Sequence, residues 1–342
     1  MIFGHGDDFY HLNNEIKINF SSNVWHQADL SGLKTFLHEN FDSITHYPDP
    51  DAGALRRAIA AYYAIEEHAI MVTNGSITAF YLLAQAFSGK RSSILTPTFA
   101  EYEDACRLHH HQLTFISNHV PLSQINLKGE DLCWICNPNN PDGKVIPRET
   151  LLAFIATHPH TYFLIDQTYL AFTTEELVSP SDLTQYPNLI LAQSISKAYN
   201  TPGIRIGYLL AHPTLIKKLN EFLIPWSVNA LAIKTGEYIL AHHHQFELPL
   251  LEWLKQTDDF IRQVNGINHL EVIPTQTTYF LIHLKKGNAT ELKKHLIEKE
   301  GILVRDASNF RGLNELYIRV STQTPCENKA LIKALSTRYA TE

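Results

Sequence analysis

The chain has little cysteine, no excess of basic charge and no long apolar run, and each shortage removes a class of protein. Four cysteines in 342 residues are too few for a disulfide framework. Cys133 and Cys136 form a C-x-x-C. "LCWIC", however, has the composition of a buried strand, where residues three apart point to opposite faces, so packing cysteines are expected rather than a redox pair. Lys and Arg number 28 against 35 Asp and Glu, a net charge of −7, which argues against a broad nucleic-acid surface. No stretch of about 18 apolar residues predicts a membrane span. The opening "MIFGHGDDFYHLNNE" lacks a basic stretch followed by an apolar one, so no signal peptide is expected and the cytoplasm is the expected location. The histidine triplets at 109–111 and 242–244 have no Cys, Asp or Glu cluster at ligand spacing; solvated helix or loop positions are expected, and no metal. "SGK" at 88–90 fails as a phosphate loop, because Ala84 stands at the first glycine and Arg91 at the Ser/Thr.

What is present is a long chain of ordinary globular texture, 44% hydrophobic and 18% charged, large enough for two domains. Leu55, Ala58, Ile59 and Tyr62 fall at helical spacing within 51–64, with Asp51 as the expected N-cap. "IMVTNGS" (70–76) followed by "ITAFYLLAQAF" reads as strand, turn and buried helix. "SSILTPTF", "LCWICNP", "YFLIDQ" and "LILAQS" are further short apolar runs ending in polar or turn residues, with helical stretches between them. Continuous apolar strands alternating with helices predict an α/β fold with a mostly parallel sheet between helices, its ligand site at the strands' carboxyl edge. Past "PWSVNALA" (225–232) a long helix over 236–265 and then an α+β pattern are expected. The expected division is an N-terminal arm, 1–35, that joins the small domain; a large domain, 36–235; and a small α+β domain, 236–342.

Four polar clusters sit at predicted strand ends or adjoining turns: "TNGS" (73–76), "NPNNPDG" (137–143), "DQTY" (166–169) and "SISK" (194–197). Singly each has an ordinary explanation. Asp166 could cap a helix, and "NNPDG" is a generic turn. Their order is not generic: N-P-x-G, then D-x-x-Y, then S-x-S-K, then R-x-G eight residues beyond the lysine. That order resembles the pyridoxal-phosphate enzymes of the class I and II aminotransferase family, with the aspartate-aminotransferase fold, over about residues 19–321.

The resemblance implies pyridoxal 5'-phosphate as cofactor, with roles for matching positions. Lys197 matches the amine that joins the cofactor's aldehyde, and Asp166 the carboxylate that keeps the ring nitrogen protonated. Asn140 and Tyr169 match donors to the ring's phenolate oxygen. Gly75, Ser76 and Ile77 match a helix N-terminus that meets the phosphate, with Ser194, Ser196 and Arg205 beside it. Phe99 in "PTFAEY" matches the aromatic that stacks on the ring, or else packs in the core. Tyr47 in "YPDP" resembles the tyrosine that reaches a neighbouring subunit's phosphate, implying a homodimer with shared active sites.

Arg319 in "YIRVST" matches the arginine that binds a substrate carboxylate. Arg305 in "GILVRDAS" is usual in the branch holding histidinol-phosphate aminotransferases and threonine-phosphate decarboxylases, where it helps hold a substrate phosphate; its ordinary reading is an ion pair with Asp306. A small phosphorylated amino-acid substrate is therefore expected. "HG" at His5–Gly6, Phe99, "PWSVNALA" and "GLNELYIRV" lean toward decarboxylation of L-threonine O-3-phosphate, as in cobalamin synthesis, over transamination of histidinol phosphate. His5 matches a histidine at the substrate phosphate, and Asn23 in "FSSNVW" an asparagine near the substrate carboxylate. The chain departs from the pattern at Asp7 and Asp8, at Gln167, and at Thr277–Thr278–Tyr279, where Asn-Phe is usual. A binding protein of this fold without activity is the remote alternative; it would be expected to lack Lys197 or Asp166, and both are present.

Overall fold

The structure, a computed structural model, describes residues 6–12, 14–127 and 129–340. The first half of the chain runs β1 (Ile18–Asn19), α1 (Ser31–Glu39), α2 (Gly53–Tyr63), β2 (Ile70–Thr73), α3 (Gly75–Ala86), β3 (Arg91–Thr96), α4 (Glu101–Leu108), β4 (Gln112–Ser117), β5 (Leu132–Cys136), α5 (Arg148–Ala156) and β6 (Tyr162–Asp166). It continues through β7 (Leu189–Ser194), β8 (Gly207–Ala211), α6 (Pro213–Asn220), α7 (Ala230–Ala241), α8 (Leu250–Asn265), β9 (Leu270–Val272), β10 (Tyr279–Leu284), α9 (Ala289–Glu300), β11 (Ile302–Leu303), β12 (Arg305–Asp306), β13 (Tyr317–Ser321) and α10 (Pro325–Ala340).

Seven strands form the large sheet in the order β2-β8-β7-β6-β5-β3-β4. All neighbours are parallel except at β8, which runs antiparallel to both β2 and β7. Helices cover both faces, so the central strands β5 to β8 are buried on both sides along nearly their whole length. On β5, Cys133 and Ile135 enter one core while Leu132, Trp134 and Cys136 enter the other. The two cysteines do point to opposite faces, as strand geometry requires.

The reversed strand positions the site. Carboxyl ends of β5, β6 and β7 lie on one edge, and β8, running backward, brings its amino end to the same edge. Gly207 pairs with Thr73 on one side and Ser194 on the other. Arg205, just before β8, therefore comes to the start of α3.

The second sheet, β12-β13-β10-β9, is antiparallel throughout. It packs Phe280 and Val320 against Phe260, Leu296 and Leu331 from α8, α9 and α10. β1 pairs in parallel with β11, and Phe20 beside it enters this core, so the N-terminal segment is tied to the C-terminal half.

Three local expectations are corrected. The helix expected over 236–265 is two helices, α7 and α8, separated by residues 242–249; Pro249, which lacks the N–H a continuous helix needs, stands as the N-cap of α8. α7 also packs Ile233 and Ile239 into the large-sheet core. Asp51 does not cap α2: the N-cap is Ala52, in left-handed conformation, and Asp51 accepts from Arg56 instead. His111 is not solvated; it is buried, bonded to Ser92 Oγ at 2.8 Å and the Ala84 carbonyl at 2.8 Å.

Candidate active site

The edge where these strand ends meet encloses a cavity of about 220 Å³. Lys197, Asp166, Tyr169 and Asn140 line it, as do Ser76, Ile77, Ser194, Ser196 and Arg205, with Phe99 on the wall. Asn23 and Arg319 close the remaining side. Residues separated by nearly three hundred positions thus converge, most of them at or just past the end of a strand or at a helix start, with Arg205 just before β8 and Arg319 in the middle of β13.

Asp166 is buried at the end of β6. Tyr102 Oη donates to its Oδ2 at 2.6 Å, and the backbone N and Oγ1 of Thr168 donate to its Oδ1 at 2.9 and 2.7 Å. Burial raises its pKa; those donors and the Lys197 cation oppose the rise. Lys197 follows β7 in a turn, its carbonyl accepting from the Trp25 N–H at 3.0 Å. Burial, then Arg319 and Arg205, pull its pKa down to about 8, against the opposite pull of Asp7 and Asp166. A neutral amine is accessible there near neutral pH, as a nucleophile requires.

The side of the cavity next to Arg205 is built from the start of α3. Gly75 adopts φ +77°, and a Cβ there would lie 2.3 Å from Arg205 Nη2. A Cβ on Gly207 would lie 2.2 Å from the Ser76 backbone N. The start of α3 and the Arg205 guanidinium can approach only because both positions are glycine. Arg205, itself left-handed at φ 62°, donates to the Pro202 carbonyl at 2.9 Å. Burial lowers its pKa. Ser194 Oγ donates to the Ile206 carbonyl at 3.1 Å and accepts the Ser196 N–H at 3.2 Å, which fixes the turn.

Arg305 and Arg319 are opposite each other in the β12–β13 register. Directly opposed cations on neighbouring strands repel unless an anion sits between or beside them. Arg319 is buried; its Nη2 donates to the Ser21 carbonyl at 2.6 Å, its Nη1 to Asn140 Oδ1, and its Nε has no partner. Arg305 donates to the Asp306 carbonyl and to Asn309 Oδ1 at 2.6 Å. Burial and the Arg319 charge bring its pKa down to about 10. It lines a small side pocket that shares Gly6, Phe99, Asn140 and Arg319 with the main cavity.

Two expected positions are not found at this cavity among the described residues. Tyr47 is 86% exposed, its ring 5.5 Å from that of Trp226, and it does not line this chain's cavity. His5 lies outside the described residues. Sequence reasoning missed Tyr102, Thr168 and Cys136, the last also lining the cavity. It noted Asp7 only as a departure, yet Asp7 lines the cavity as well. An aromatic one helical turn past Phe99 was the available signal for Tyr102.

The residues fit pyridoxal phosphate. The buried carboxylate suits a protonated ring nitrogen, and a helix start beside Arg205 suits a phosphate. Asn23 is buried and lines the cavity beside Tyr169, so its amide is placed to meet a bound ligand.

Fold and site together define a chain of the aspartate-aminotransferase type. A model of the class I and II aminotransferases matches residues 15–335, and the chain belongs to that family. It is 47% identical to the L-threonine-O-3-phosphate decarboxylase of Porphyromonas gingivalis, whose crystal structure superposes with a TM-score of 0.92 over 94% of this chain and 99% of that one. It is 27% identical to the threonine-phosphate decarboxylase of Salmonella typhimurium, covering 93% of this chain and 90% of the relative. It is 30% identical to the histidinol-phosphate aminotransferase of Caldanaerobacter subterraneus, covering 84% and 83%.

Proposed function

We propose that the chain is a pyridoxal-phosphate enzyme that decarboxylates L-threonine O-3-phosphate to (R)-1-amino-2-propanol O-2-phosphate, a step of cobalamin biosynthesis. The observation that carries the reading is the pairing of Arg305 with Arg319 across one strand register, Arg319 lining the cavity and Arg305 the side pocket next to it, in a chain 47% identical to an enzyme of that name. A substrate with a carboxylate and a phosphate answers two converging guanidinium groups.

Lys197, Asp166 and Tyr169 are the catalytic residues in this reading. Gly75, Ser76, Ile77, Ser194, Ser196 and Arg205 hold the cofactor phosphate, Asn140 and Tyr169 the phenolate oxygen, and Phe99 the ring face. The bound cofactor supplies an aldehyde for Lys197 and a protonated ring that draws electrons from a bond at the substrate's α-carbon. Arg319 and Asn23 hold the substrate carboxylate, Arg305 and His5 its phosphate, and their placement selects which α-carbon bond is broken. In decarboxylation the bond to the carboxylate breaks, CO₂ leaves, and the electron pair left on the α-carbon takes a proton. Lys197 Nζ, with a pKa of about 8, is a group able to carry a proton and deliver it to that carbon.

The 30% identity to a histidinol-phosphate aminotransferase supports a second reading, in which a proton rather than CO₂ leaves the same carbon. We extend the reading to a homodimer in the cytoplasm, with Tyr47 serving the neighbouring subunit; its exposure supports this, and among the described residues no helix is long and apolar enough to cross a membrane. The experiment incubates cofactor-loaded protein with threonine phosphate and measures CO₂, beside a tube holding histidinol phosphate and 2-oxoglutarate read as glutamate. CO₂ without glutamate is expected; glutamate without CO₂ overturns the first reading in favour of the second.

A further inference from the structure

Tyr102 is fully buried on α4 and does not line the cavity, yet its hydroxyl meets Asp166, which does. The bond, 2.6 Å to Oδ2, joins residues 64 positions apart. The phenol is fixed by its own surroundings: it stacks on Trp134 at 5.5 Å and 26°, and meets Phe80 and Phe99 edge-on at 5.1 and 5.8 Å. Its direction toward Asp166 is therefore set by the core and not by whatever fills the cavity.

A carboxylate buried this deeply takes a proton unless donors and cations hold the anion. The groups facing Asp166 are few. Tyr102 comes from α4, Cys136 from the end of β5, Thr168 and Tyr169 from beyond β6, and Lys197 from beyond β7. Cys136 and Tyr169 are buried and neutral, and both are raised by burial. Asp142 acts on Cys136, Asp7, Arg205 and Arg319 act on Lys197, and Arg319 acts also on Tyr169. Lys197 is a cation that acts on Asp166, and it loses its charge in the neutral-to-alkaline range. Two hydroxyls and one backbone N–H then remain, and the Tyr102 hydroxyl alone serves Oδ2.

We infer that Tyr102 is a positioning residue: it holds Asp166 as an oriented anion, so that the carboxylate can pair with the protonated ring nitrogen of a heteroaromatic cofactor. The cofactor part rests on the reading given under Proposed function; the hold on Asp166 does not.

Tyr102→Phe removes the hydroxyl and keeps the ring in its stack. In cofactor-free protein, the infrared carboxyl band that vanishes in Asp166→Asn reports protonated Asp166. One lost charge-assisted hydrogen bond corresponds to about one pH unit. The band should therefore persist to a pH about one unit higher in Tyr102→Phe than in the unmodified protein. Titration with pyridoxal phosphate, followed by quenching of protein fluorescence, should show the acid-side loss of affinity displaced upward in pH by a similar amount. Phe154→Leu, a core substitution in the cluster on the other face of the sheet from Tyr102, should move neither curve. An unchanged infrared titration in Tyr102→Phe, or an equal shift in Phe154→Leu, overturns the inference. Unmodified protein that binds no pyridoxal phosphate at any pH, with the infrared shift present, overturns the cofactor reading and leaves the hold on Asp166 standing.

Discussion

Gly75 and Arg205 face each other with left-handed backbones, at φ +77° and 62°, and no atom fits between Gly75 Cα and the guanidinium. A Cβ would sit 2.3 Å from Nη2. Gly75→Ala must therefore displace the arginine as well as strain the turn. Pyridoxal phosphate affinity, measured by fluorescence titration, should fall at least about tenfold, from backbone strain of about 1–3 kcal/mol together with the lost contact. Gly89→Ala is the control: its φ is +73°, but nothing lies within 4 Å. It carries the strain alone, so stability should drop while cofactor affinity stays unchanged.

Lys197 carries a stability signature in the cofactor-free protein. Its pKa is about 8 in the fold and 10.5 as the reference. The unfolded chain thus holds the proton more firmly. The cost of the buried ammonium is present in full below about pH 8 and fades as pH rises toward the reference value. Lys197→Met should be more stable than the parent by about 2 kcal/mol at pH 7, less than the full shift implies because the side chain is partly exposed. The difference should shrink toward zero near pH 10. Urea unfolding of both proteins across that range measures it, and a gap that widens with pH contradicts the assignment.

Much of this site was readable because the chemistry sits where strands end, and strand ends announce themselves by an apolar run meeting a polar cluster. Asp166, Ser194 and Lys197 follow that rule. So does the helix start at Gly75. The antiparallel course of β8 was not readable, since "GYLLA" has the same apolar pattern in either direction; the register with Thr73 and Ser194 reveals why Arg205 arrives at the start of α3. The Tyr102 bond was hidden for a similar reason: "AEYEDA" reads as an ordinary amphipathic helix, and its partner is in another βα unit. Pro249 was visible in the sequence and should have divided the helix expected over 236–265. His111 shows the opposite difficulty, because a triplet of like residues conceals that one of them turns inward.

Arg319 offers a test of geometry against charge. Its Nη1 and Nη2 hold Asn140 Oδ1 and the Ser21 carbonyl, so the fork fixes two walls at once. Arg319→Lys preserves the charge and loses the fork. kcat/KM for threonine phosphate should fall at least about a hundredfold, with the larger part in KM, since a weakened carboxylate contact lowers binding before it alters chemistry. A loss confined to kcat would place Arg319 away from the substrate carboxylate.

Arg305→Ala separates phosphorylated from plain substrates. The guanidinium reaches the cavity only through the side pocket it shares with Arg319. Its removal should raise KM for threonine phosphate about tenfold or more and leave the KM for threonine itself unchanged. Equal effects on both would assign Arg305 to the fold, through its bonds to the Asp306 carbonyl and Asn309.

Tyr279 is the departure with the clearest structural consequence. Its hydroxyl donates to the Asn139 carbonyl at 2.9 Å, and its ring lies 4.8 Å from that of Tyr169. It thereby braces the residue beside Asn140 and backs the Tyr169 ring. Tyr279→Phe removes one buried hydrogen bond, about 1 kcal/mol, and should lower Tm by about 2 °C while raising KM modestly through Asn140. Tyr279→Asn deletes most of a fully buried ring and should cost about 3 kcal/mol or more. If Tyr279→Asn were instead as stable as the parent, the surrounding threonines would have to close the space, and Tyr279 would not be the brace that its contacts describe.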